Sequence, residues 1–130
     1  MYQQRTRDIV VKVEPTYLDN QSTPDEHYFV WAYKVQILNK GAEPVQLRTR
    51  YWRIVDAQGR VQEVRGEGVV GQQPVLKPGD TFEYTSGTPL GTPSGFMAGN
   101  YEMQTTSGER FEVQIPPFSL DSPHQALLLN

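Results

Sequence analysis

The sequence predicts an all-β fold, an antiparallel β-sandwich of seven to eight strands of the immunoglobulin or fibronectin III-like kind. Three observations carry this. Apolar residues recur at every second position rather than at helical spacing. Turn-forming Gly, Pro, Asn and Asp punctuate the chain at intervals of roughly 10 to 20 residues, as in two-sheet sandwiches. No window has the periodicity of an amphipathic helix, and the 130 residues include 11 glycines and 10 prolines, both poor in helix interiors.

The elements follow in order. Ile9, Val11 and Val13 alternate with Val10, Lys12 and Glu14, which predicts a first strand. Phe29, Trp31, Tyr33, Val35 and Ile37 give residues 28–39 a long apolar face, and Lys34 and Gln36 among their alternates make the strand half-buried. Asn39-Lys40-Gly41 turns the chain into a strand from Val45 to Asp56. In Asp56-Ala57-Gln58-Gly59 the glycine supplies the positive φ of a hairpin turn, and Val61 to Arg65 returns.

A glycine-rich loop follows, and then Lys77-Pro78-Gly79-Asp80, which suits a type II turn. Thr81 to Thr85 is the next strand, with Phe82 and Tyr84 on one face. Residues 86–99, with four glycines and two prolines, read as an irregular connection. Tyr101 and Met103 mark another strand, Ser107-Gly108 a turn, and Phe111, Val113 and Ile115 the last strand, which Pro116-Pro117 should stop.

Within 45–56 the apolar phase slips. Val45 and Leu47 share one alternation, Trp52 and Ile54 the other. A β-bulge near Thr49-Arg50 would turn all four inward, leaving a core tryptophan and solvated arginines. Without it, Arg48, Arg50 and Trp52 would share a cationic, aromatic face suited to an anion or a base ring.

Composition excludes several classes of function. The length suits one domain spanning 1–130, with a tail from 121 to 130, including Leu127-Leu128-Leu129, expected to be flexible. A net charge of −3 and a pI near 5.3 argue against nucleic acid as partner. The chain has no cysteine, so disulfides, thiol nucleophiles and thiolate metal sites are ruled out. The N-terminal residues lack the apolar run of a signal peptide and no stretch reaches the length of a membrane span, so the expectation is a cytoplasmic protein without a membrane role.

Catalytic patterns are thin. The two histidines, His27 and His124, support no triad, and Asp25-Glu26-His27 reads as a solvated loop rather than three ligands for one ion. Ser94 in Gly91-Thr92-Pro93-Ser94-Gly95 stands one place too late for a nucleophile elbow. The expectation is a protein that is not an enzyme and needs no cofactor or metal.

One motif does suggest chemistry. Gly66-Glu67-Gly68-Val69-Val70-Gly71 has the G-x-G-x-x-G spacing that cradles pyrophosphate before a helix. Pro74 and Pro78 forbid that helix, so the motif stands as a glycine loop whose N–H groups would have to act alone. Arg48, Arg50, Arg53, Arg60 and Arg65 cluster beside it, which makes Gly66, Gly68, Gly71 and Arg65 a candidate anion-binding loop. The alternative is that the arginines are solvated edge charges and the glycines joints between strands.

The motifs Phe29-x-Trp31-x-Tyr33-x-Val35-x-Ile37-x-Asn39, Trp52-x-Ile54-x-Asp56-x-x-Gly59, Gly66-Glu67-Gly68-Val69-Val70-Gly71-x-Gln73-Pro74, Pro78-Gly79-x-x-Phe82-x-Tyr84-x-Ser86-Gly87, Gly99-x-Tyr101-x-Met103 and Ile115-Pro116-x-Phe118 follow one another along the chain. In this order they resemble the ApaG family over nearly the whole length. The resemblance implies a small bacterial cytoplasmic protein with a fibronectin III-like sandwich. It also implies a link to diadenosine tetraphosphate metabolism and a role in cobalt and magnesium tolerance. Related domains in eukaryotic F-box and polymerase-interacting proteins look like protein-interaction modules, and no family catalytic residue carries over. The leading expectation is therefore a non-catalytic module that docks a protein partner; the alternative is a phosphate-containing ligand on the glycine loop. Oligomeric state stays open.

Overall fold

The computed structural model describes residues 1–124. Nine strands form among them: β1 (Tyr2–Thr6), β2 (Ile9–Tyr17), β3 (Phe29–Asn39), β4 (Val45–Asp56), β5 (Val61–Glu67), β6 (Val75–Leu76), β7 (Thr81–Leu90), β8 (Ser94–Thr105) and β9 (Arg110–Asp121). Among the described residues the only helical turns are two of 3-10 type, Asp19–Gln21 and Pro24–Glu26. One antiparallel sheet runs β1-β2-β3-β7; the other runs β5-β4-β8-β9, with β6 continuing the β5 side of β4. The two sheets face each other as a sandwich. Val11, Val35, Ile37, Leu47, Met97, Tyr101, Met103, Val113 and Leu120 are fully buried between them. Tyr33, Trp52 and Phe118 interlock at ring separations of 5.1 to 6.2 Å, the edge-to-face range that favours aromatic pairs.

The bulge in β4 is present. Its register against β8 slips between Leu47 and Thr49, so Arg48 is the extra residue, and Val45, Leu47, Trp52 and Ile54 all point inward. The hairpin at Asp56 closes as expected, with Gly59 at φ 80°, as does the type II turn, with Gly79 at φ 87° and Asp80 N donating to Lys77 O at 2.9 Å.

Three expectations about segments are corrected. Tyr2–Thr6 forms a strand although its sequence is polar, because it is an edge strand held by five backbone pairings to β2. Residues 86–99 are not irregular: β7 runs on to Leu90 and β8 begins at Ser94, with a turn only between them. The glycines there sit where backbones approach closely; a Cβ on Gly99 would collide with the Tyr51 carbonyl oxygen. Nor do Pro116 and Pro117 stop β9, which continues to Asp121. The β8–β9 register slips between Met97 and Gly99, opposite Phe118 and Ile115, and the two prolines occupy that bulge, where no ladder N–H is required.

One side of the sandwich is closed. Gln114 N donates to Thr6 Oγ1 at 3.1 Å and Ser119 N to Tyr2 Oη at 3.3 Å, so β1 side chains cover the edge of β9. On the other side, β5 and β7 end their sheets with no further strand among the described residues. Of the tail, Asp121 ends β9, and Ser122 is buried with its N–H on Pro93 O at 2.9 Å; 125–130 lie outside the described residues.

Candidate functional site

The glycine motif does not build a helix-tipped cradle. Val69 and Gln72 exchange backbone hydrogen bonds of 2.8 and 2.9 Å around Val70 and Gly71, whose φ values are 43° and 79°. Two central residues with positive φ make this a tight hairpin of the I′ kind. Valine is poorly suited to that position, since its branched side chain crowds the backbone when φ is positive. Gly68, at φ 66°, donates its N–H to Arg48 O at 2.9 Å, and a Cβ there would run into the Gln72 carbonyl. Three of the loop's N–H groups are thus already spent, two within the hairpin and one on Arg48 of β4.

Beneath this hairpin lies a cavity of 340 Å³ on the open side, lined by Tyr33, Arg50, Trp52, Glu67, Val69, Val70, Gly71, Tyr84 and Ser86. Its floor is polar because of the bulge. With Arg48 extruded, Arg50 falls into phase with Trp52 and Ile54 and turns toward the opposite sheet. The Arg50 guanidinium donates from Nη1 to Glu67 O and to Gly68 O, both at 3.0 Å. It lies flat over Gly66: a Cβ at that glycine would stand 2.7 to 2.9 Å from Nη1, Cζ and Nη2.

Tyrosines form the far wall. The Tyr84 and Tyr101 hydroxyls share a short hydrogen bond. Burial pushes both phenols well above the ordinary tyrosine range, against the pull of the Arg50 charge. Burial also raises Tyr33, held back by the neighbouring Ser86 hydroxyl and by Arg50. These phenols stay neutral and act as hydrogen-bonding groups.

The predicted site residues separate. Gly71 lines the cavity, Gly66 accommodates Arg50, and Gly68 shapes the hairpin. Arg65 faces the outer side of its sheet, its guanidinium 4.3 Å above the Tyr51 ring and 3.5 Å from Glu63 Oε2. Adjacent residues of a strand point to opposite faces, so Gly66 inward places Arg65 outward. Arg50, Tyr33, Tyr84 and Ser86 were missed as a group. The available signal was that a bulge placed at Arg48 puts Arg50 on the buried face together with Trp52.

Fold and cavity together define a small antiparallel sandwich protein, closed on one side and holding a polar hollow between its sheets on the other. The profile of the ApaG domain matches residues 19–105, and the chain belongs to the ApaG domain family. It is 65% identical to Protein ApaG of Parvibaculum lavamentivorans over 130 residues, all of both chains. With Protein ApaG of Rhodospirillum centenum it shares 69% identity over 124 residues, 95% of each. A crystal structure of ApaA protein from Bordetella pertussis superposes with a TM-score of 0.87 at 52% identity, covering 89% of this chain and 94% of that one. A protein from Archaeoglobus fulgidus, at 8% identity and a TM-score of 0.52 over 85% of this chain and 95% of its own, shares the fold alone.

Proposed function

We propose that this chain is a non-catalytic binding module of the bacterial cytoplasm that docks a protein partner on its open side. The observation carrying this reading is the asymmetry of the sandwich. The β1–β9 side is stitched by hydrogen bonds, whereas the β5 and β7 edges, on either side of one ligand-sized hollow, pair with no further strand among the described residues. A free strand edge offers main-chain donors and acceptors to an extended segment, and an adjacent pocket selects a side chain. Val70 and Val75, 54% and 55% exposed on the same side, add apolar surface. The tie to cobalt and magnesium tolerance that the family resemblance implies fits an indirect role through such a partner. Pyrophosphate on the glycine loop has less support, because Gly68, Val69 and Gln72 have spent their N–H groups.

A photoreactive amino acid placed at Val70, with a control at the exposed Glu14 of β2, tests the reading in cells. The expected result is one discrete adduct from position 70, reproduced at one-to-one stoichiometry with the purified partner. Equal adducts from both positions, or none from position 70, would sink it.

A further inference from the structure

Arg50 is a half-buried cation between two sheets, and among the described residues it forms no ion pair. Taking a charge out of water without a counter-ion is costly. The two carbonyl acceptors recover part of that cost but bring no negative charge. They also orient the group. Both act on Nη1, so that corner of the guanidinium is committed to the loop, while Nε and Nη2 make no hydrogen bond among the described residues. The N–H groups of Nε and Nη2 point side by side, and this fork matches the two oxygens of a carboxylate.

We propose that Arg50 anchors a carboxylate subsite in this cavity, taking an acidic group on its Nε–Nη2 edge with the Ser86 hydroxyl as a further donor. The inference rests on the reading of the open side as the binding side and names the group recognised there. It differs from a glycine-loop phosphate site in residue and in chemistry. The flat seat over Gly66 and the brace from the loop carbonyls hold the guanidinium before a ligand arrives, which lowers the ordering cost of binding. The strained Val70 holds the hairpin tip over the same hollow.

The test is an NMR titration of the full chain, reading the Arg50 Nε–H and the Trp52 indole N–H. The probes are sodium glutarate, a blocked pentapeptide with one central glutamate, inorganic pyrophosphate, and sodium chloride at matched ionic strength. Glutarate or the peptide should move both signals saturably while chloride does not. Affinity should fall about tenfold or more in Arg50→Lys, which keeps the charge but loses the fork. Because Arg50 also braces the loop, Ser86→Ala serves as a second variant, expected to weaken binding with the fold intact. A peptide at least about tenfold tighter than glutarate, with amide shifts along β7, identifies a protein ligand; equal affinities identify a free carboxylate. No response beyond chloride, a response only to pyrophosphate, or undiminished affinity in both variants overturns the proposal. Failure here with an adduct at Val70 leaves the docking side standing, whereas carboxylate binding without any adduct removes the protein partner and keeps the subsite.

Discussion

Replacing Gly66 with alanine should destabilise the protein through Arg50 rather than through the backbone. The new Cβ would sit 2.7 Å from Nη1 and 2.9 Å from Cζ and Nη2, too close to tolerate. The guanidinium must lift, breaking its two 3.0 Å bonds to Glu67 O and Gly68 O. Hydrogen bonds to a charged group are worth about 1.5–3 kcal/mol each when buried, and partial solvent screening here lowers that. Alanine returns ~0.5–1 kcal/mol by restricting the unfolded chain. The expected net loss is about 1–2 kcal/mol, a drop of roughly 3–8 °C in Tm for a chain of this size. Urea unfolding of Gly66→Ala should show it, and the same substitution made in Arg50→Ala should be neutral or slightly stabilising, because the space is then vacant. An equal cost in both backgrounds would refute the steric argument, and so would a Gly66→Ala protein as stable as the parent.

Other perturbations have signs that follow from the same geometry. Tyr84→Phe strands the fully buried Tyr101 hydroxyl and should cost about 1–3 kcal/mol, while the double change to phenylalanine should cost less than the sum of the singles in a denaturation cycle. Asn39 is buried, with Nδ2 donating to Glu43 O at 2.8 Å and Leu76 O at 2.9 Å while Oδ1 accepts from Gly41 N at 2.9 Å. Asn39→Asp would set a carboxylate against two carbonyls, so it should lose about 2–4 kcal/mol at neutral pH and recover part as the acid protonates toward roughly pH 4, read by pH-dependent melting. The buried phenols of Tyr84 and Tyr101 have raised folded-state values, so their contribution is complete below the unfolded value of about 10 and is lost as pH rises beyond it. Tyrosinate absorbance should therefore show these two ionising together with unfolding, and a pair that titrates in the intact fold would contradict their burial.

How much was legible varies with the kind of residue involved. β3 and β4 stood out because Phe29 to Ile37 and Val45 to Ile54 alternate strongly, and burial of one sheet face leaves that imprint on composition. The bulge was legible as a slip of phase, within one residue of its place at Arg48. β1 left no imprint, since an edge strand of Tyr, Gln, Arg and Thr is held by backbone pairing to β2 rather than by an apolar face. The glycines and prolines of 86–99 and 116–117 misled because locally they break structure. Here they serve close backbone approach and a bulge, which depend on a neighbouring strand. The candidate site shows the same division. Its glycines drew attention by spacing, while Arg50 looked like one solvated arginine among five.

By itself, then, the sequence determined the all-β class, the principal strands, the turns and the family, because periodicity, turn chemistry and motif order are local properties of the chain. Which face Arg50 occupies, which sheet edges stay free, and that Tyr33, Tyr84 and Ser86 meet Arg50 under the glycine hairpin were decided only by the tertiary structure. Those facts depend on the register of β4 against β8 and on the packing of one sheet over the other. Both bring together residues far apart in sequence, and no local pattern records them.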